Sequence, residues 1–348
     1  KKRKTLSMGV YPDISLKEAR ERRDQARNQI ANDIDPSEVR KTVKSEIHNQ
    51  SKNSFEVIAR EWFVKFSSTW SDGHADRIIR RLERDIFPWI GGKPIAGLTA
   101  PQLLEVIQRI ESRGALETAH RALRNCGEIF RYAIATGRAN SDLSGDLKGS
   151  LPQVRVSHLA AITEPKKVGE LLKVLDGYKG TLVVSCALRL APLVFVRPGE
   201  LRKAEWKDID LERGEWRFDI TKTNTQHIVP LSRQAIKILS ELEMLTGNGQ
   251  YVFPGARSEA RPMSDNAVLA AFRRLDISKD EMSGHGFRAM ARTILDEVLG
   301  FRPDFIEHQL AHAVRDPNGR AYNRTAHLNE RKKMMQAWAD YLDNLKNI

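Results

Sequence analysis

Val196-Arg197-Pro198-Gly199-Glu200-Leu201 is the stretch on which the reading of the fold turns. Proline suits the first position of a helix, where no backbone donor is needed. Arg197 therefore stands beside free helix-end amides, an arrangement suited to phosphate. A surface arginine at any helix start would look the same, so its surroundings must decide. Upstream, apolar spacing predicts helices near 165–176 and 179–191. Downstream, Glu215-Trp216-Arg217-Phe218-Asp219-Ile220 alternates at period two and His227-Ile228-Val229-Pro230-Leu231 answers it. The pair reads as a hairpin turning through Lys222 to Gln226. From Ser232 helices dominate to the end. Residues 159–348 thus read as one mostly helical domain with a small antiparallel sheet.

Residues 54–139 look all-helical. Ser54 caps a helix with Phe55, Ile58, Ala59, Trp62 and Phe63 on one stripe. A second helix runs from His74 to Ile86 and is ended by Phe87-Pro88 and Gly91-Gly92. A third opens at Thr99-Ala100-Pro101, with Leu103, Leu104, Ile107 and Ile110 inward. A fourth spans Thr118 to Thr136. Residues 140–158 hold Gly, Ser and Pro without periodicity and read as a linker, as do 41–53. Before these, residues 1–12 read as a short strand. Ser15-Leu16-Lys17-Glu18 forms a capping box for a helix to about Asn32, and Asp35-Pro36-Ser37-Glu38 starts another. The domains expected are 1–45, 54–145 and 159–348.

The 348 residues carry a net charge of +12, spread along the chain rather than held in one tail. Such a balance points to a polyanion, most often nucleic acid, met along shaped surfaces. With 41% apolar residues the chain can build real cores, which excludes a disordered tail protein. No apolar run approaches a membrane span. Cys126 and Cys186 are too few for a Cys-rich zinc site or a disulfide framework, so a reducing cytoplasm is expected. The chain opens without Met, as a fragment of a longer protein would.

Further residues carry chemistry. His285-Gly286-Phe287-Arg288 is an H-x-x-R, a spacing that puts both side chains on one helix face. His74/Arg77 and His312/Arg315 repeat the pattern, so alone it says little. Gln309-Leu310-Ala311-His312 is followed ten residues on by Tyr322, beyond the turn Asp316-Pro317-Asn318-Gly319. Taken in order, Arg197 with Glu200, Lys222, His285, Arg288, His312 and Tyr322 resemble the tyrosine recombinase (phage integrase) family. Within it the chain is most similar to integrases of prophages, satellite phages and genomic islands. The resemblance covers nearly the whole chain: a partial N-terminal arm-type DNA-binding domain (1–45), a helical core-binding domain (54–145) and a catalytic domain (159–348). It implies a mainly α fold with a small antiparallel β-sheet.

The family's chemistry would use each residue type. A phenol can attack a phosphodiester and store the bond as an ester, and the resemblance makes Tyr322 that nucleophile and the product a 3′-phosphotyrosine. Arg197 and Arg288 would clamp the non-bridging oxygens, and Lys222 would protonate the leaving 5′ oxygen. His285 would accept the phenol proton or bond the phosphate, His312 would donate to it, and Glu200 would support the site. The resemblance implies no metal and no cofactor. It implies double-stranded attachment sites as substrate and a homotetramer on DNA, in the cytoplasm with the nucleoid. A host DNA-bending protein and an excisionase stay open as further partners. Two other activities share these features: a DNA-binding regulator that has lost cutting, and a type IB topoisomerase-like relaxing enzyme. The presence of all six expected active-site residues argues against the first, and the N-terminal layout against the second. Met334, Met335, Trp338, Tyr341 and Leu342 form an apolar stripe near the C-terminus. It would pack either on its own domain or on a neighbouring protomer.

Overall fold

The computed structural model describes residues 5–32, 34–42, 52–154, 159–220, 225–312 and 327–347. Position 222, position 315 and the segment holding Tyr322 lie outside them. The chain divides into two compact units, Lys1–Val156 and Ser157–Ile348. The protein is mainly helical with small antiparallel sheets.

At the start of the first unit, α1 spans Leu16–Ala31 and α2 covers 36–42. The Ser15 hydroxyl accepts from the Glu18 amide at 3.3 Å, and the Glu18 carboxylate accepts from the Ser15 amide at 3.0 Å, which closes the expected capping box. Among the described residues the expected strand does not form: residues 5–10 are irregular and 11–13 turn. A strand needs a partner for its backbone groups, and here side chains take that role. Arg22 donates to the Met8 carbonyl and Arg40 to that of Ser7.

The larger part of this unit is a helical core built by α3 (Phe55–Ser67), α4 (Asp72–Arg81), α5 (Ala100–Glu111), α6 (Leu116–Ala135) and α7 (Leu143–Asp146). Phe55, Ile58, Trp62, Leu103, Ile107 and Phe130 meet at its centre. Two expectations are corrected. The second helix does not stop at Phe87-Pro88; it widens into a π-helix over Leu82–Gly91 with Pro88 inside and ends at the expected Gly91-Gly92. A wider turn keeps Leu82, Ile86, Phe87 and Ile90 all buried, and that burial opposes the break a proline would otherwise impose. The stretch after 139 is also not wholly linker. Leu147 and Leu151 are buried, and α7 lies so close to α6 that a Cβ on Gly127 would fall 2.2 Å from Ser144 Oγ.

Asp85 is 4% exposed in this core and accepts from Arg84 (2.8 Å) and Arg113 (2.7 Å). Burial pushes its carboxyl upward, but the two guanidiniums outweigh it and hold the group below the usual range. A depressed carboxyl adds stability that is present above the unfolded pKa, about 4, and lost as pH falls through the folded value. Asp85→Asn is expected to cost about 1–3 kcal/mol at pH 7. In thermal melts the gap to the parent should close as pH drops below about 4; a gap that persists in acid would mean the charge contributes nothing.

The second unit opens with α8 (Pro165–Asp176), α9 (Leu182–Val194) and α10 (Pro198–Arg202). A three-stranded antiparallel sheet follows in the order β1 (Ile209–Asp210), β2 (Glu215–Ile220), β3 (Thr225–Pro230). Trp216 pairs with Val229 and Ile220 with Thr225, which sets the hairpin register. After α11 (Arg233–Thr246) comes a second hairpin, β4 (Pro254–Gly255) with β5 (Ser258–Pro262). Sequence reading missed it because Ser258-Glu259-Ala260-Arg261-Pro262 is mostly exposed and has no apolar alternation. Helices α12 (Ala267–Arg274), α13 (Gly286–Glu297), α14 (Pro303–Gln309) and α15 (Leu328–Asn347) complete the unit.

Helix α15 runs through the core. Met334, Met335, Trp338, Ala339 and Leu342 are buried in it, and Trp338 donates to the Pro192 carbonyl at 2.9 Å. Its approach to α8 is close: a Cβ on Gly169 would lie 2.3 Å from the Leu345 carbonyl oxygen. The apolar stripe therefore packs on its own unit.

Candidate active site

Arg197 is placed by the end of α9. That helix closes on Phe195, whose φ of 37° is unusual for a bulky side chain. Full burial and an edge-to-face contact with Trp338, 6.2 Å between centroids, hold it there. Pro198 then starts α10. Glu200 turns back on Arg197, accepting from its backbone amide and from Nη1, both at 2.8 Å. Arg197 Nη2 reaches the Ala311 carbonyl at 3.4 Å.

Arg288 projects from α13 to the same place. Nη1 donates to the Phe195 carbonyl (3.1 Å), and Nη2 to the Leu310 carbonyl (2.6 Å) and His312 Nε2 (3.1 Å). Burial and the nearby Arg197 push its guanidinium down to about 10, so it keeps its charge at neutral pH. His312 follows Ala311, whose φ is 52°. Two guanidiniums from separate elements thus converge on the Leu310–Ala311–His312 turn.

His285 stands at the start of α13. It is the N-cap of that helix, with helical φ −78° and ψ −20°, and the Arg288 amide three residues on donates to its carbonyl at 3.1 Å. The segment is fixed because Ser283 Oγ donates to the Ala160 carbonyl at 3.2 Å. A Cβ on Gly286 would meet that carbonyl oxygen at 2.7 Å, so glycine permits the approach. Burial, then the charges of Arg288 and Arg197, hold the His285 imidazole below its usual range and favour the neutral ring. The structure thus brings together Arg197, Glu200, Arg288 and His312, and the Arg288 and Arg197 charges act on His285. Lys222 and Tyr322 are outside the described residues.

Sequence reading missed the polar scaffold behind this turn. Arg331, only 2% exposed, donates to Gln309 Oε1 at 3.0 and 2.7 Å and also to the Ile228 carbonyl. His227 donates to the Gln309 carbonyl at 3.1 Å, and burial with the Arg331 charge pushes its ring down to about 3. A neutral His227 and a charged Arg331 so tie β3, α14 and α15 together. Glu307 was also missed. Its Oε2 lies 2.5 Å from His312 Nδ1, and its Oε1 accepts from Arg292 at 2.9 Å. The spacing of five from Glu307 to His312 was the only signal in the sequence.

Comparison with known proteins gives a consistent assignment. Residues 162–327 match the phage integrase family, 55–150 the phage integrase central domain and 1–43 an arm DNA-binding domain. The integrase of Enterobacteria phage P4 is 37% identical, over 100% of this chain and 82% of its own length. The integrase of Shigella phage Sf6 is 37% identical over 98% of this chain and 87% of its own. The prophage integrase IntS of Escherichia coli K12 is 36% identical with the same coverage. In structure, a lambda integrase dimer bound to a COC′ core site matches with a TM-score of 0.61, at 18% identity over 81% of this chain and 83% of that one. A lambda integrase tetramer bound to a Holliday junction also gives 0.61, at 17% identity over 87% and 89%. The protein is a DNA strand-transferring enzyme of site-specific recombination. It belongs to the phage integrase family of tyrosine recombinases.

None of the described helices is long and apolar enough to cross a membrane.

Proposed function

We propose that the chain cuts and rejoins double-stranded attachment sites through a 3′-phosphotyrosine on Tyr322. The observation that carries this reading is the convergence of Arg197 and Arg288 beside His312. Arg288 spends its hydrogen bonds on carbonyls and a histidine, so its charge is available to an arriving phosphate. The two guanidiniums neutralise the non-bridging oxygens as charge grows in the transition state. Glu200 orients Arg197. The neutral ring of His285 suits proton acceptance from the phenol. Lys222 protonates the leaving 5′ oxygen, and His312 is a second hydrogen-bond donor to the phosphate. Residues 1–45 serve as an arm-binding segment, 54–145 bind the core site and 159–348 carry the chemistry.

Four protomers act together on two DNA duplexes, a reading supported by the tetrameric lambda integrase assembly. The protein works on the host nucleoid in the cytoplasm, with a DNA-bending protein and an excisionase as candidate accessories. A two-site recombination assay against plasmid relaxation tests the activity: recombinant products are expected, and relaxation without them would favour a topoisomerase-like enzyme.

The lysine assignment has its own test. Lys222→Ala should slow cleavage by about 10²–10⁴-fold, the range for general acid catalysis, with little loss of binding. A duplex with sulfur in place of the leaving 5′ oxygen needs no protonation and should restore most of the rate. A variant that sulfur fails to rescue would assign Lys222 to phosphate binding or structure.

A further inference from the structure

His312 is held at both ring nitrogens. Nδ1 faces Glu307 Oε2 at 2.5 Å, and Nε2 faces Arg288 Nη2 at 3.1 Å. Burial pushes the Glu307 carboxyl up, but bonds from His312 and Arg292 outweigh it and hold the group below its usual range. It is therefore a carboxylate at neutral pH and offers only lone pairs. A guanidinium offers only hydrogens. The ring between them must carry its hydrogen on Nδ1 and leave a lone pair on Nε2. Glu307 is itself fixed from the far side, because Arg292 of α13 donates to it at 2.9 Å and is placed by Asp296 at 3.9 Å.

We propose that Glu307 is a positioning residue for strand transfer, which fixes the orientation and tautomer of His312 so that Nε2 is the nitrogen presented to the scissile phosphate. The proposal rests on the active-site reading above. Before DNA arrives, Nε2 accepts from Arg288. When Arg288 turns its hydrogens to the phosphate, Nε2 is released and faces a phosphate oxygen. Glu307 keeps the ring in that orientation across the Nδ1–H bond. Carboxylates that orient a functional histidine through its second nitrogen act in this way in metal sites and serine hydrolases.

Glu307→Gln is the informative variant. It keeps the side-chain volume and still accepts from Arg292. With its oxygen on Arg292, however, the glutamine turns amide hydrogens toward Nδ1 and favours a bare Nδ1, against the Nδ1–H tautomer that the Arg288 hydrogens favour at Nε2, so one tautomer is no longer selected. The first measurement is ¹⁵N NMR of the DNA-free full chain with labelled histidine, with the His312 signal assigned by loss in His312→Asn. The parent should show His312 as the Nδ1–H tautomer and Glu307→Gln a mixture of both. The second is single-turnover cleavage of a nicked duplex. Glu307→Gln should be slowed about 10- to 100-fold with unchanged DNA affinity. In a His312→Asn background the same change should add less than about twofold, since the group it positions is gone. An unaltered tautomer in Glu307→Gln, or the same slowing in both backgrounds, overturns the proposal. If the parent itself forms no covalent adduct, the active-site reading fails, and the NMR result still decides whether Glu307 sets the tautomer.

Discussion

Tyr322→Phe should form no covalent complex with a nicked suicide duplex, while the parent is trapped at the 3′ phosphate. The substitution removes one oxygen and leaves the ring, the guanidinium pair and the basic surface as they were. Removing the nucleophile of a serine hydrolase costs on the order of 10⁶-fold in rate, and a loss of that size puts the adduct below detection. Binding should persist, because affinity for DNA comes mainly from phosphate contacts and counterion release. The two proteins should therefore share one steep salt dependence of binding and differ only in adduct. A Phe variant that still forms the adduct would show that another residue attacks. A regulator that had lost cutting would leave the parent without adduct as well, so the same gel separates that alternative.

How much of this was readable beforehand depends on what each residue's neighbours are. Arg197, Glu200, Arg288 and His312 could be singled out from order and residue type, and the fold brings both arginines to the Leu310–Ala311–His312 turn, with Glu200 on Arg197. The helical periodicity of Phe55, Ile58 and Trp62, and the alternation of Glu215 to Ile220, follow from one-sided burial and appear directly in sequence. What escaped was set by contacts distant along the chain. Arg331 reads as a surface charge beside Lys332 and Lys333, yet it is buried because Gln309 and the Ile228 carbonyl, 22 and 103 positions away, satisfy it. Glu307 reads as an ordinary helix carboxylate until His312 folds back onto it. Pro88 predicted a break that the burial of its neighbours overrides. Over residues 5–12 the expected strand does not form, and the Ser7 and Met8 carbonyls accept from Arg40 and Arg22, distant along the chain.

Deletion of residues 334–348 should abolish the cooperative unfolding transition of the catalytic unit. The segment contributes Met334, Met335, Trp338, Ala339, Leu342 and Leu345 to its core, all 7% exposed or less. Truncating one large buried apolar side chain to alanine costs about 2–5 kcal/mol, and a whole domain is stable by only about 5–15 kcal/mol. Removing the set exceeds that margin. The loss also reaches the site, since Trp338 packs on Phe195, the residue whose strained backbone delivers Arg197 and whose carbonyl accepts from Arg288. Trp338→Ala isolates this link. It should destabilise the unit by about 3–5 kcal/mol and, at temperatures where the variant is still folded, slow cleavage more than it weakens binding, because Phe195 is freed to leave its left-handed conformation. A terminal helix that only joined protomers would behave otherwise: its deletion would leave a full-height melting transition and intact single-site binding, and would remove only the multimeric complex on DNA. Calorimetry on the deleted chain, read beside a single-site gel shift, decides between these outcomes. A retained transition would show that the burial of Trp338 adds little to the fold.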